Sequence, residues 1–252
     1  MPKPKRNKLK SLVGLVLKKR GKEAFLMSLP GCARVLDVGC GNDSPWRYKS
    51  LRPDIHYIGI DVDNYFQSAA PDSVADSYIL CSPEKFAPTL KEFSGQLDAV
   101  VSAHNLEHCN EPEAVLEALV DALKEGGSLF LSFPCEASVN FPSRPHGSLN
   151  FHDDSTHRVV PNFDRVRAYL ESRGLRIDFV ARRYRPGLLF AAGLVLEPLA
   201  VLLKRAMPAG STWALYGFES ILWATKMRPT HPPSDSNVWH KQETTTRNGI
   251  LG

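Results

Sequence analysis

Short apolar runs alternate along the chain with amphipathic stretches. Residues 33–38 (Ala-Arg-Val-Leu-Asp-Val) form one run that stops at Gly39-Cys40-Gly41, as a buried strand does on entering a tight turn. Tyr57-Ile58-Gly59-Ile60, closed by Asp61, is a second run, and Leu97 to Ser102 a third. A helix is expected from Asn110, the cap, with Glu113 three residues on. Its apolar face is Val115, Leu116, Leu119, Val120 and Leu123, and Gly126-Gly127 should stop it. Strand Ser128 to Phe133, helix Asp164 to Ser172 ended by Gly174, strand Leu175 to Val180 and a last strand Phe218 to Thr225 follow. Strands alternating with helices imply a parallel sheet covered on both faces.

Three stretches break this rhythm. Residues 135–160 are rich in Pro, Ser, Asn, His and Asp without a period, and so long a loop inside a compact domain is usually functional. Residues 187–203 (GLLFAAGLVLEPLAVLL) are almost wholly apolar but only 17 long and interrupted by Glu197 and Pro198, so a buried or interfacial helical hairpin is expected rather than a span. From residue 228 onward Pro, Ser, Asn and Thr dominate, and a disordered tail is expected. The expected divisions are a basic segment 1–23, a domain 24–227 with an apolar insertion at 184–217, and the tail 228–252.

Charge sharpens the first division. Residues 1–23 hold nine bases and one acid, a net of +8, whereas the remainder nets −4. A nucleic-acid-binding domain carries its positive patch on the folded body, so no nucleic-acid partner is expected. The apolar stretch Leu12–Leu17 is too short for a secretory core and runs straight into Lys18-Lys19-Arg20. A cytoplasmic protein is expected, with peripheral contact to an anionic membrane through the basic N-terminus as an added reading. Five cysteines without a C-x-x-C pair fit reduced thiols.

The chemistry begins at Asp37-Val38-Gly39-Cys40-Gly41, where a strand ending in D-x-G-x-G lets backbone approach a ligand closely. Asp61 ends the next strand 24 residues after Asp37, placed to accept hydrogen bonds from both ribose hydroxyls of an adenosine ligand. A dinucleotide fingerprint would need a third glycine where Ser44 stands, followed here by Pro45.

VLDVGCG, YIGID, LDAVVSAHNLEH and ALKEGGSLFLSFP, in this order, resemble class I S-adenosylmethionine-dependent methyltransferases of the small-molecule type. The resemblance is continuous over about residues 33–134 and weaker to 226. It implies a three-layer α/β, Rossmann-like, seven-stranded, mostly parallel sheet with an antiparallel last strand, and S-adenosyl-L-methionine as cofactor. It implies that Asp37, Gly39, Cys40 and Gly41 shape the pocket for the methionine end, that Asp61 with Val62 beside it holds the ribose, and that His104 lies on the pocket floor. Two departures stand out: Asp43 replaces a third glycine common in the family, and Ser82-Pro83-Glu84 stands where an Asp and a free N–H usually meet the adenine. Proline offers no N–H, which leaves Ser82 as the replacement.

His104-Asn105-Leu106-Glu107-His108 spells H-x-x-E-H, but it follows a strand directly rather than lying on the long helix of a zinc protease. A related group holds a divalent metal in some family members that modify RNA ends; the reading preferred for Glu107 and His108 is pocket architecture, with no metal. His146, His152, Asp153, Asp154 and His157 crowd the loop after Pro134, beyond the carboxyl ends of the strands. An oxygen nucleophile must lose a proton, so His157 or His152 is the candidate base and Asp154 its orienter. O-methylation of a small-molecule, glycan or lipid-linked acceptor is the expected activity. The alternatives are an impaired fold kept as a binding or scaffold module, and a metal-dependent RNA-end enzyme. Trp213, Tyr216 and Trp223 are expected in core packing between the last two strands, with a lipid or quinone pocket as the other reading.

Overall fold

The computed structural model describes residues 12–65, 67–68 and 70–228. Residues 12–17 are helical, and α1 (Lys22–Ser28) leads into β1 (Arg34–Val38), α2 (Ser44–Leu51), β2 (His56–Asp61) and β3 (Ser77–Leu80). α3 (Phe86–Lys91), β4 (Leu97–Ala103), α4 (Pro112–Ala122), β5 (Leu123–Pro134), α5 (Phe163–Ser172) and β6 (Leu175–Ala181) continue the alternation. Two helices, α6 (Gly187–Leu203) and α7 (Ser211–Tyr216), precede β7 (Glu219–Lys226).

The seven strands form one sheet in the order β3-β2-β1-β4-β5-β7-β6. β1 to β5 pair in parallel, and β7 alone is inserted antiparallel between β5 and β6. The expected sheet and its antiparallel last strand are therefore both present. Leu36, Ile58, Val100 and Leu129 face a cluster with Phe86, Leu119, Phe163 and Leu170 from α3, α4 and α5. Val35, Tyr57, Ala99 and Phe130 face Phe25, Tyr48 and Trp223 on the other side. Strands buried on both faces read as unbroken apolar runs, which is why they were legible.

Several boundaries differ from the pattern. α4 starts at Pro112, with Glu111 rather than Asn110 at its cap and no side-chain cap bond. Proline's fixed φ suits the first helical position, where its missing N–H costs nothing. The helix ends at Ala122 and the chain turns extended at Leu123, four residues before Gly126-Gly127, because Leu123 already pairs with Leu97. The stretch 187–203 is one helix that continues through Pro198, and its hairpin partner is α7. Among the described residues no helix is long and apolar enough to cross a membrane. The loop 135–160 is not formless: residues Glu136–Asn140 and Phe151–Asp153 are 3-10 turns. The basic residues before Leu12, and the expected disordered tail beyond Arg228, lie outside the described residues.

Candidate active site

The carboxyl ends of β1, β2, β3 and β4 converge on one edge, which the loop after β5 roofs. Gly39 takes φ +73°, and a Cβ there would stand 2.8 Å from Asn105 Oδ1. Only glycine lets Asn105, at the end of β4, press onto the β1 turn. A Cβ on Gly41 would lie 3.0 Å from the Tyr65 carbonyl and 3.8 Å from Asp61 Oδ2. The glycine loop and the Asp61 carboxylate thus line one cradle.

Asp43, which stands in place of a third glycine, adopts a left-handed conformation at φ 59°. Its carboxylate accepts from the Ser68 amide and hydroxyl, both at 2.7 Å, fastening the β2–β3 connection to the turn. Cys40 is fully buried, so its contribution to a ligand is confined to backbone. Asp37 is also buried and accepts a 2.7 Å bond from the Tyr57 hydroxyl. Burial raises its pKa, with Lys22 and Tyr57 acting against the rise. It braces the glycine turn from within.

Asp61 accepts from the Val62 amide at 2.7 Å and, among the described residues, forms no ion pair. Burial pushes its carboxyl up to about 6. A buried carboxylate with spare acceptor capacity and no cation suits neutral hydroxyl donors. Val62, next in the chain, and Leu80, opposite Asp61 across the β2–β3 pairing, leave large apolar side chains exposed beside it, as walls for a flat ring. Leu80 was not foreseen; its position opposite Asp61 in the register is the signal that marks it. Ser82 is exposed and its hydroxyl bonds the Glu84 carboxylate across the turn at Pro83. These residues fit an adenosine-bearing cofactor at the methionine and ribose ends, and offer apolar walls at the adenine end.

His104 stands apart from the cradle in a different role. Its Nδ1 lies 3.1 Å from Glu107 Oε1 and its Nε2 3.4 Å from Glu219 Oε1. Burial works against a charged ring, but the two carboxylates outweigh it and push the pKa up to about 9. The ring stacks on Phe218 and tilts against Trp213, so it is an imidazolium pinned between β4 and β7. Lys18 completes the chain of charges on Glu219 at 3.3 Å. A folded-state pKa above the unfolded value of about 6.5 stabilises fully below that value. The contribution fades as pH rises through about 9. Raising pH from 6.5 to 10 should therefore cost about 3 kcal/mol of unfolding free energy, and His104→Gln should flatten that dependence in urea melts. An equal pH loss in the variant would contradict the assignment.

The roofing loop is wired through Asp153. Its Oδ2 accepts from the Arg144, Leu149 and Asn150 amides at 2.7, 3.0 and 2.8 Å, and its Oδ1 from the Ser143 hydroxyl. Asn150 ties the turn to the Val139 and Phe141 carbonyls. Asp153→Ala should cost about 2–4 kcal/mol by orphaning those amides. Limited proteolysis should then cut within 141–158 first.

Beyond that hub, the Arg158 amide donates to the Glu107 carbonyl at 2.8 Å, drawing His157 against His108 with ring centroids 4.7 Å apart. His157 Nδ1 lies 2.6 Å from the Phe151 carbonyl, which can only accept. The proton is therefore on Nδ1 and Nε2 carries the lone pair. Thr156 gives its hydroxyl proton to Asp154 at 2.6 Å and must accept from His108 Nδ1 at 2.9 Å. Burial lowers the His108 pKa, which favours the neutral ring with its lone pair on Nε2. Asp154, expected to orient the base, thus orients His108 through Thr156, while a backbone carbonyl orients His157. His152 is exposed and its ring packs edge-on against Phe151, away from this pair.

Glu107 is wholly buried and its Oε2 has no hydrogen-bond partner. Glu107, His108 and His157 each bring one donor atom within 4.8 Å of the other two. That is the donor chemistry of a divalent-metal site. His104 is excluded from it because both its nitrogens face carboxylates. H-x-x-E-H itself forms a 3-10 turn, Leu106–His108, not a long helix.

Of the three late aromatics, Trp223 packs in the core against Phe25, Phe130 and Phe179. Trp213 and Tyr216 sit instead by the roof: Trp213 donates to the Gly147 carbonyl at 2.9 Å and Tyr216 to Glu197 at 2.7 Å.

Residues 36–131 match the family model described as "Methyltransferase domain". Residues 36–131 thus carry a methyltransferase domain. The methyltransferase segment is 37% identical over 114 residues to the ubiquinone biosynthesis O-methyltransferase of Xanthomonas campestris, covering 43% of this chain and 46% of that one. It is 29% identical over 109 residues to the tRNA (carboxymethyluridine(34)-5-O)-methyltransferase of Arabidopsis thaliana, covering 43% and 26%. The match thus spans less than half the length of either relative. An S-adenosylmethionine-dependent methyltransferase from Archaeoglobus fulgidus superposes with TM-score 0.54 at 18% identity, over 86% of this chain and 94% of that one. One from Mesorhizobium loti gives 0.53 at 16% identity, over 81% and 97%. Both share the methyltransferase fold.

Proposed function

We propose that the protein transfers a methyl group from S-adenosylmethionine to an oxygen of a small-molecule, glycan or lipid-linked acceptor. The observation that carries the oxygen acceptor is the orientation of His157: Nδ1 is committed to the Phe151 carbonyl, which leaves Nε2 as the nitrogen able to take a proton. The cofactor, when bound, supplies a methyl on a sulfonium whose departure needs no acid. The chain's own work is to align the acceptor oxygen in line with that methyl, to exclude water under the 135–160 loop, and to take the hydroxyl proton on His157 Nε2. Bound S-adenosylmethionine would supply the methyl and keep the S–C electron pair on its thioether, while His157 Nε2 would hold the proton that the acceptor oxygen loses as it forms the O–CH3 bond. The O-methyltransferase relative supports the same acceptor atom.

Titration calorimetry with S-adenosylmethionine and its homocysteine product tests the cofactor half, and absence of binding to both at millimolar concentration removes it. A screen of phenolic, sugar and prenyl-chain hydroxyl acceptors tests the other half.

A second reading is favoured by the Glu107–His108–His157 cluster: transfer assisted by a divalent metal at the acceptor hydroxyl. It predicts activity lost to chelator and restored by Mg, Mn or Zn ions; activity indifferent to chelator selects the base.

A further inference from the structure

Helix α6 is apolar on the wrong side. Seventeen residues long, it buries Leu189, Gly193 and Ala200, and a Cβ on Gly193 would stand 2.4 Å from the Ser211 carbonyl, so this is the face seated on α7. An ordinary surface helix turns its opposite face polar. Here Leu188, Val195 and Leu202 are 68, 79 and 77% exposed, with Leu194, Leu199 and Val201 beside them. Leu188, Ala191, Val195, Leu199 and Leu202 follow one another at steps of three or four, so they make a single continuous stripe. An exposed aliphatic stripe of about four turns marks a contact surface.

The surroundings say what covers it. Arg183 and Arg185 precede the helix and Lys204 and Arg205 follow it, all exposed. Glu197 is the one acid between residues 183 and 210, and it is turned inward to Arg144 and Tyr216. The stripe holds Leu, Val and Ala but none of the Tyr, Trp, Met or Arg that anchor protein interfaces. Aliphatic chains along the middle and cations at both ends match acyl chains bordered by anionic headgroups. Residues 1–11 add five more bases and no acid, while residues 229–252 contain no periodic aliphatic set that could cover the stripe.

We propose that α6 docks this protein flat on an anionic bilayer, its stripe at the headgroup–acyl boundary. The helix is fastened to the roof of the site: Arg144 pairs with Glu197 at 3.2 Å, and the Ala206 amide donates to the His146 carbonyl at 2.8 Å. Docking therefore holds the mouth of the site at the membrane surface.

The test is vesicle co-sedimentation of the full chain with phosphatidylcholine alone and with added phosphatidylglycerol. The parent should bind the mixed vesicles, less so in high salt. Val195→Asp with Leu202→Asp, both at solvent-exposed positions, should weaken that binding roughly 10- to 100-fold with thermal midpoint and cofactor affinity unchanged. Lys204→Glu with Arg205→Glu should lose only the preference for phosphatidylglycerol. Equal binding by the stripe variant would overturn the proposal in favour of the basic N-terminal segment alone. Absence of binding to either vesicle would overturn it too, as would a dimer in size exclusion that the same substitutions dissociate.

Discussion

His157→Ala should slow methyl transfer roughly 100-fold or more at neutral pH while leaving the affinity for S-adenosylmethionine within about twofold. Two contacts of different kinds hold the His157 ring. The Phe151 carbonyl holds Nδ1, so the ring cannot turn to present the wrong nitrogen, and the loss falls on proton removal rather than on cofactor binding. The ring also stacks on Phe151 at 4.6 Å, so its removal could loosen the turn instead. His157→Phe separates these effects, since it keeps an aromatic ring and lacks a base. Single-turnover rates should fall alike in both variants, and added imidazole should partly restore the alanine one. A phenylalanine variant with near-parental rates would reduce His157 to packing. An alanine variant that loses cofactor affinity would mean the roof belongs to the cofactor pocket.

Asp61→Asn should weaken S-adenosylmethionine binding roughly 10- to 100-fold, the range for losing charge-assisted bonds to two hydroxyls. The parent should carry a pH signature that the variant lacks. Burial raises the Asp61 carboxyl to about 6 in the free chain. Hydroxyl donors favour the ionised form, so binding draws the proton off. Affinity should accordingly be level above pH 7 and fall below pH 6, approaching tenfold per unit. For the fold the sign is reversed: a raised carboxyl pKa destabilises as pH rises from about 4 through 6, and cofactor binding offsets that loss. Calorimetry from pH 5 to 8 reads both effects, and a flat parental profile would sink the assignment.

The cofactor edge was legible because its demands are local. Gly39 and Gly41 occupy positions where a side chain would strike Asn105 or Tyr65, and such positions leave a mark in any single sequence. Asp61 ends an unbroken apolar strand, so its place at the sheet edge followed from the period. What failed locally was the end of α4, where pairing of Leu123 with Leu97 won over the helical pattern of Val115 to Leu123. Asn105 and Leu80 were invisible because each matters through a partner far along the chain, Gly39 and Asp61 respectively.

The sheet, the glycine turn, the Asp61 carboxylate at the sheet edge and the crowding of histidines after Pro134 all followed from the sequence alone, since each depends on hydrophobic period or on neighbours within a turn. Tertiary structure decided which histidines matter. It pinned His104 as a cation between Glu107, three residues away, and Glu219, on the last strand, and so removed it from the reacting edge. It left His152 in solvent, and it gave His157 its tautomer through a carbonyl six residues away whose direction no composition encodes. It also decided which face of α6 stays exposed, because the seat of Gly193 on Ser211 turns the other side outward. Period says how much of a helix is apolar; only packing says which side meets a neighbour.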